Sequence, residues 1–403
     1  MQVQRTITIC LPEDSDLRNT LTAFVTMQQS ISELAFNEGK PLSAIELHRA
    51  CYQNIKGTLN SQMTITVFRF VAGSYASAMS NYKKRITKEA KRKKKHLTKG
   101  WNYKPKIIKS VDVCQFKKPT AMFLVGRKGR DASFRKDGTL SIWTVAGRKH
   151  IAYDVPNVFV ERFAQATEVN SITVIDRNGK LYGRVSLTLE VPEPQGISPV
   201  GIDLNETNAL VAVDSDDREL FITGHRTKVL NKRTAHTVGR LQAKLATRKA
   251  NHQDTKSVRK VMKRLGRKRS NRTKDFACVT AKTLCEWAPK DAVLVFEDLQ
   301  MSQPVKGLTR GVRLRQRLAL WQHAAIREAV TNRAELTGLA IAKVNPAYTS
   351  QIHHHCGLLG KRKRHDFYCP HCNVHEHADV NAGFNIRNKF VQSRLDGVQV
   401  NHP

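Results

Sequence analysis

The chain has 403 residues, with 68 Lys or Arg against 34 Asp or Glu, a formal charge of +34. A hydrophobic content of 40% can fill the cores of two or three domains, but self-repulsion on this scale calls for a polyanionic partner. No apolar run reaches the roughly 20 residues of a membrane helix, and the opening MQVQRTITICLPEDSD lacks a signal-peptide apolar region, so a cytoplasmic protein with no membrane partner is expected.

Residues 3–9 alternate polar and apolar and predict a strand. From 18 to about 95 apolar residues recur at helical spacing, and this segment ends in a basic run, Lys83 to Lys95, with Glu89 as its sole acid. Trp101 and Tyr103 follow, between further lysines. A basic run is often just a solvated face, but one that leads into aromatics suits phosphate contact with some base or ribose stacking. From about 107 to 195 the period changes to two, with hairpin turns at Asp137-Gly138 and Asn178-Gly179. This predicts a small β-domain closed as a barrel, followed by a linker at Pro192 to Gly196.

The stretch 200–223 reads as an antiparallel meander, and its first strand ends on Asp203. A long cationic stretch follows, with seventeen Lys or Arg between Lys228 and Lys274 and one acid, Asp254. Its apolar residues fit two helices with a narrow seam, and so few acids leave a phosphate backbone as the better partner. Val293 to Phe296 is a buried strand ending at Glu297-Asp298, and 301–315 is a basic loop. Leu318 to Leu336 is helical, with Trp321, Ile326 and Val330 on the apolar side. Leu339 to Val344 is a further strand, and Asp379 stands just ahead of a last helix.

Three carboxylates, Asp203, Glu297 and Asp379, therefore stand at the ends of three elements. Taken singly each has a bland reading: Asp203 a turn residue, Glu297 or Asp298 a loop residue, Asp379 an N-cap. The element order fits a ribonuclease-H-like α/β fold, in which neighbouring strand ends bring side chains together. Clustered carboxylates stay ionised cheaply only beside a cation, and hard oxygen ligands suit Mg²⁺ or Mn²⁺. Such ions support phosphodiester cleavage. Arg387, two turns into the last helix, fits either a phosphate-facing or a solvent-facing place.

The strings GIDLNETN, VLVFEDLQ, NPAYTSQ and HADVNAGFNI resemble the split RuvC nuclease of the TnpB family, which is insertion-sequence-encoded and related to compact type V CRISPR effectors. The resemblance covers roughly residues 197–390. It implies a bilobed α/β and α+β multidomain protein: a wedge-like β-barrel from 1–17 and 107–195, a helical recognition lobe at 18–106, a RuvC-like nuclease from 197–350 and 376–403, and a zinc-binding insert at 351–375. It further implies that Asp203, Glu297 and Asp379 bind the catalytic Mg²⁺ or Mn²⁺. A guide RNA would direct cleavage of double-stranded target DNA beside a short adjacent motif, in the prokaryotic cytosol or nucleoid. Base pairing would then read sequence while the protein holds backbones.

The family usually carries two C-x₂-C pairs between the second and third carboxylates. Here the second is intact, Cys369 and Cys372, while the first reads His353 and Cys356. A Zn²⁺ site of His353, Cys356, Cys369 and Cys372 is expected, structural rather than catalytic; His354, His371, His375 or His377 are alternative fourth ligands. The other cysteines, Cys10, Cys51, Cys114, Cys278 and Cys285, read as buried reduced thiols. An RNA-guided binder that does not cut, an effector serving a CRISPR array, and a strand-transferring transposase are the competing readings. The sequence leaves the oligomeric state open.

Overall fold

The structure is a computed structural model that describes residues 1–37, 40–126, 131–299 and 322–395. The basic loop expected at 301–315, and the first residues of the helix expected from Leu318, including Trp321, lie outside these. The chain divides into two compact units, Gln2–Glu190 and a second containing Met1 and the chain from Val191 onward.

In the first unit β1 (Gln2–Leu11) is followed by helix α1 (Ser15–Ala35), whose N-cap Asp14 accepts the amide of Leu17 at 2.8 Å. Two short strands pair antiparallel next, β2 (Phe36–Asn37) and β3 (Lys40–Pro41). Helix α2 (Ala44–Ile55) opens on a capping box between Ser43 and Glu46. Helix α3 (Ser61–Thr98) is 38 residues long. Its first half is buried through Met63, Val67, Phe68 and Tyr75, and its second half carries the exposed lysines. The strands are β4 (Thr120–Leu124), β5 (Ala132–Phe134), β6 (Thr139–Thr144) and β7 (Gly147–Ala152). After helix α4 (Asn157–Ala164) come β8 (Ala166–Arg177) and β9 (Lys180–Glu190).

The expected barrel is corrected. Among the described residues the strands form open sheets, one ordered β1-β9-β8-β4 and one ordered β5-β6-β7. Helices take the place of closing strands. Leu17, Leu21 and Phe24 of α1 and Met63, Val67 and Phe68 of α3 share one core with Ile7, Phe123, Ile172 and Val185 of the larger sheet.

The second unit contains a five-stranded mixed sheet. Its strands are β10 (Ser198–Asp203), β11 (Asn208–Val213), β12 (Glu219–Thr223), β13 (Ala292–Glu297) and β14 (Ala340–Val344), in the order β12-β11-β10-β13-β14. The first three are antiparallel, whereas β10–β13 and β13–β14 are parallel. Long cationic helices α5 (His225–Ala250) and α6 (Lys256–Trp287) intervene between β12 and β13. Helix α7 (His323–Thr337) precedes β14 and ends at Gly338 in the left-handed conformation. A small hairpin sheet follows, β15 (Lys361–Lys363), β16 (Asp366–Cys369) and β17 (Val374–His377), which runs directly into helix α8 (Ala378–Leu395).

Strand alternation sorts the sheet's two faces. Val200, Ile202, Leu294 and Phe296 pack with Ala281 and Leu284 of α6 and Ile326 and Val330 of α7. Val293, Val295, Ala342 and Val344 face the other way and pack with Ile386 and Phe390 of α8. Parity then assigns Gly201, Asp203 and Glu297 to the α8 face.

No helix among the described residues is long and apolar enough to cross a membrane. No disulfide occurs among the eight cysteines. Cys278 is exposed rather than buried, because it falls on the outer face of α6.

At Gly201 the helix comes so close that a Cβ would lie 2.0 Å from the carbonyl oxygen of Gly383 and 2.8 Å from the amide nitrogen of Arg387. Gly201→Ala is expected to lower stability by about 1–3 kcal/mol or more as α8 is forced away, read from the urea midpoint. A wild-type midpoint would show that the helix can retreat without cost.

Candidate active site and metal centre

In the parallel pair β10–β13, Ile202 is opposite Phe296, so the next residues, Asp203 and Glu297, leave neighbouring strand ends side by side on the α8 face. Both line a cleft of about 390 Å³ with Asn205, Pro346, Thr349 and Arg362. Asp379, in the first turn of α8, is fully buried. Its carboxylate accepts hydrogen bonds from Asn208 Nδ2 at 2.9 Å and Arg362 at 2.7 Å, and His365 Nδ1 lies 3.4 Å away. The fold thus brings together the three carboxylates named from the sequence. Asp298, the next residue after Glu297, is exposed.

The electrostatics follow from that crowding. Burial, then the charges of Asp379 and Glu297, push the Asp203 carboxyl up to about 7, against partial relief from Arg362 and Asn205. Burial also raises Glu297, opposed by the Thr349 hydroxyl that donates to it and by the charges of Lys389 and Arg362. Carboxylates crowded together away from water favour a nearby cation. As oxygen donors on rigid strand ends they fit a hard divalent ion.

Several neighbours of this site carried no signal in the sequence. Asn205 Oδ1 accepts the amides of Thr207 and Asn208 at 2.9 and 3.1 Å, an Asx turn that aims Asn208 at Asp379. Arg362 comes from β15, in the hairpin sheet. Lys389 of α8 donates to the carbonyls of Asn345 and Ala347. The first two could be found only by folding the chain; Lys389 lies in the NAGFNIRNK helix but has no distinguishing spacing. Arg387 takes neither of its expected places: it donates to the Asp214 carbonyl, pairs with Asp217 at 2.7 Å and lies over the Phe384 ring.

Next to the carboxylates lies the Cys/His cluster. The ligand atoms of His353, Cys356, Cys369 and Cys372 all lie within 4.8 Å of one another. His353 Nδ1 is 3.4 Å from Cys356 Sγ, and Cys356 Sγ is 3.6 Å from Cys369 Sγ. A tetrahedral Zn²⁺ with its usual bond lengths separates N and S ligands by about 3.6 Å and two S ligands by about 3.8 Å, so the spacing fits. Burial holds His353 below the ordinary imidazole range, which favours the neutral, ligating form. For Cys369, burial opposes ionisation, but the amides of Cys372 and His371 and the neighbouring thiols outweigh it and lower the pKa. Hydrogen bonding with Cys356, with burial and Cys369, pushes Cys372 up to about 12. Three crowded sulfurs cannot all ionise without a cation among them.

Three of the alternative ligands are engaged elsewhere. His354 donates its backbone amide to Asn381 Oδ1 at 2.8 Å and stacks on Phe384 at 4.3 Å, and His375 pairs with Asp366 at 3.0 Å. His371 is exposed, and His377 stacks with His365. Buried Asn381 and Asn385 of α8 donate to the carbonyls of Ile352 and Thr349, stitching the loop that leads into the cluster onto the helix that carries Asp379.

The basic segment of the first unit forms a groove on α3 lined by Met79, Ser80, Lys83, Lys84, Thr87, Lys88 and Lys91. Glu89 folds the following chain back onto the helix: it accepts the Lys106 amide, the Tyr103 hydroxyl and Arg92. Tyr103 is thereby occupied, whereas Trp101 remains half exposed with Lys99 over its ring.

A mixed α/β multidomain chain of this kind has solved counterparts. It aligns with a structure of the mini-RNA-guided endonuclease CRISPR-Cas_phi3 over 97% of this chain and 92% of the other, with 12% identity and a TM-score of 0.51. It aligns with CasPhi-2 (Cas12j) bound to crRNA over 98% of both chains, with 11% identity and a TM-score of 0.52. Residues 178–307 match the family described as probable transposase, and 323–386 match the Cas12f1-like TNB domain. A TnpB-like protein of Aquifex aeolicus (strain VF5) is 30% identical over 144 residues, 33% of this chain and 46% of that relative, so the match spans about half of the relative's length. Parts of the chain are thus similar to the TnpB family.

Asp203 supplies a pH test. Its folded value of about 7 lies above the ordinary 3.8, so across that interval the folded chain keeps a proton that the unfolded chain has released. Stability without metal therefore falls as pH rises from about 4 to about 7. Asp203→Asn is expected to melt above wild type at neutral and higher pH, by on the order of a few kcal/mol, with the gap closing towards acid. Thermal melts in chelator check this, and a gap independent of pH would contradict it.

Proposed function

We propose that the chain is an RNA-guided DNA endonuclease that hydrolyses phosphodiester bonds at Asp203, Glu297 and Asp379. The observation that carries this reading is the convergence of three carboxylates, Asp203 of β10 and Glu297 of β13 lining a cleft and Asp379 of α8 buried behind them, in a chain similar in part to TnpB proteins. The order of the sheet, three antiparallel strands continued by two parallel ones, supports a ribonuclease-H-like, RuvC-type nuclease domain. When bound, Mg²⁺ or Mn²⁺ would activate water and stabilise the leaving oxygen.

The protein's own part is to hold and orient the carboxylate oxygens. Asp203 and Glu297 offer carboxylates from rigid strand ends. Asn208 orients Asp379, and the Thr349 hydroxyl orients Glu297. Arg362 holds positive charge against the cluster while its side chain stays partly exposed, within reach of an entering phosphate. Hydrolysis adds the water oxygen to phosphorus and breaks one P–O bond. His353, Cys356, Cys369 and Cys372 would hold Zn²⁺ as a structural ion.

A guide RNA and double-stranded target DNA are the partners proposed, with the 18–106 helices as recognition lobe and the β-strands of 1–17 and 107–195 as wedge. The α3 lysine groove and the cationic α5–α6 pair offer phosphate contacts without a base-reading helix.

The deciding experiment is to purify the protein with the RNA from its own locus, sequence that RNA, and assay matched DNA in Mg²⁺. A discrete RNA ending in a variable guide, with cleavage of matched DNA, is expected; heterogeneous RNA and uncut DNA would refute the proposal. Alanine at Asp203, Glu297 or Asp379 is expected to abolish cutting while RNA binding persists, and cutting by Asp203→Ala would remove that residue from the site. Alanine at Lys84 and Lys88 is expected to weaken RNA binding and to flatten its log–log salt slope by about one per lost phosphate contact.

A further inference from the structure

His353 stands where the family's pattern has a cysteine, and an imidazole has a second nitrogen to satisfy. Its Nδ1 faces the sulfurs, 3.4 Å from Cys356 Sγ. Its Nε2 points the other way, 3.6 Å from Oε1 of Glu376. His353 is 3% exposed, so water cannot readily serve that edge. Glu376 Oε1 is itself buried and has no hydrogen-bond partner, while its other oxygen lies 3.2 Å from His354 Nδ1. An unsatisfied buried carboxylate oxygen is costly, and an imidazole N–H aimed at it is the matching donor. Only a few tenths of an ångström separate the pair from an ordinary hydrogen bond.

We propose that Glu376 is the outer carboxylate of a Glu–His–zinc relay. It accepts the Nε2–H of His353 and so holds the tautomer whose Nδ1 lone pair is turned to Cys356, Cys369 and Cys372. The inference rests on the zinc reading of that cluster. It makes Glu376 a positioning residue that belongs to histidine at 353: a cysteine there has no second N–H to donate, and its thiolate would be repelled by the carboxylate. The geometry also explains why Glu376 is placed in β17, directly opposite Phe367, whose ring stacks under His353 at 6.2 Å. Ring stacking and carboxylate together leave the imidazole one orientation.

The test uses the full chain, stripped of metal by chelator and titrated with Co²⁺, with Zn²⁺ affinity then read by competition. Wild type is expected to take up one Co²⁺ with thiolate charge-transfer absorption and tetrahedral d–d bands. Glu376→Ala is expected to bind about 10–100-fold more weakly, the usual effect of removing an outer-shell partner. Glu376→Gln, which keeps an accepting oxygen, should recover part of the loss. His353→Cys is expected to bind with a four-sulfur spectrum, and in that background Glu376→Ala should leave affinity unchanged or tighten it. Equal affinity for wild type and Glu376→Ala would overturn the relay. So would an equal loss in both backgrounds, which would mark Glu376 as a residue of the hairpin's folding alone. Absence of metal uptake by both wild type and His353→Cys would remove the zinc centre itself, and the relay with it.

Discussion

The closeness of helix α8 to the sheet is the constraint on which the site depends. Gly201 has no Cβ, and the carbonyl of Gly383 occupies the space one would need. Gly383 in turn sits where a Cβ would lie 2.9 Å from a methyl group of Val213. Two glycines facing each other let a helix backbone rest on a strand backbone. One turn before Gly383 is Asp379, and two residues after Gly201 is Asp203. The approach that seats the helix therefore also sets the separation of the carboxylates, and a residue with a side chain at either glycine would enlarge it.

Bringing acids together in a buried place opposes folding, and the surroundings show how the cost is offset. Asn208, Thr349 and Arg362 each hydrogen-bond one carboxylate, and Lys389 adds charge behind Glu297. Arg362 reaches Asp379 from the hairpin sheet that also holds the cysteine cluster. The loop ahead of that cluster is tied by Asn381 and Asn385 to α8. The Cys/His centre and the carboxylate centre are thus joined through the hairpin sheet, the loop and α8 by covalent structure and hydrogen bonds. Polar networks of this kind, in a low-dielectric setting, rigidify what they connect.

The first unit illustrates a different balance. Alternation in the sequence identified its strands, but alternation only assigns each strand a buried face and says nothing of what covers it. A barrel and an open sheet under helices satisfy the same pattern. Leu17, Leu21, Phe24, Met63 and Phe68 decided the matter by supplying a helical cover, which leaves β1 and β4 as edges. Tyr103 likewise reads in sequence as a stacking aromatic, yet Glu89, the lone acid of the basic run, claims its hydroxyl and leaves Trp101 as the exposed ring.

Sequence by itself determined the charge, the strand and helix periods, the strand-end positions of Asp203 and Glu297, and the spacing of His353, Cys356, Cys369 and Cys372. These are local properties, written in composition, period and short separations. Tertiary structure alone decided that Asp203 and Glu297 share a face with α8, that Glu297 rather than Asp298 turns into the cleft, that Arg362 meets Asp379, that Arg387 turns to Asp217, and that Glu376 stands behind His353. Each of these depends on strand register and on helix packing between residues far apart in the chain, and such pairings are selected by the burial of whole faces rather than by any pattern within one segment.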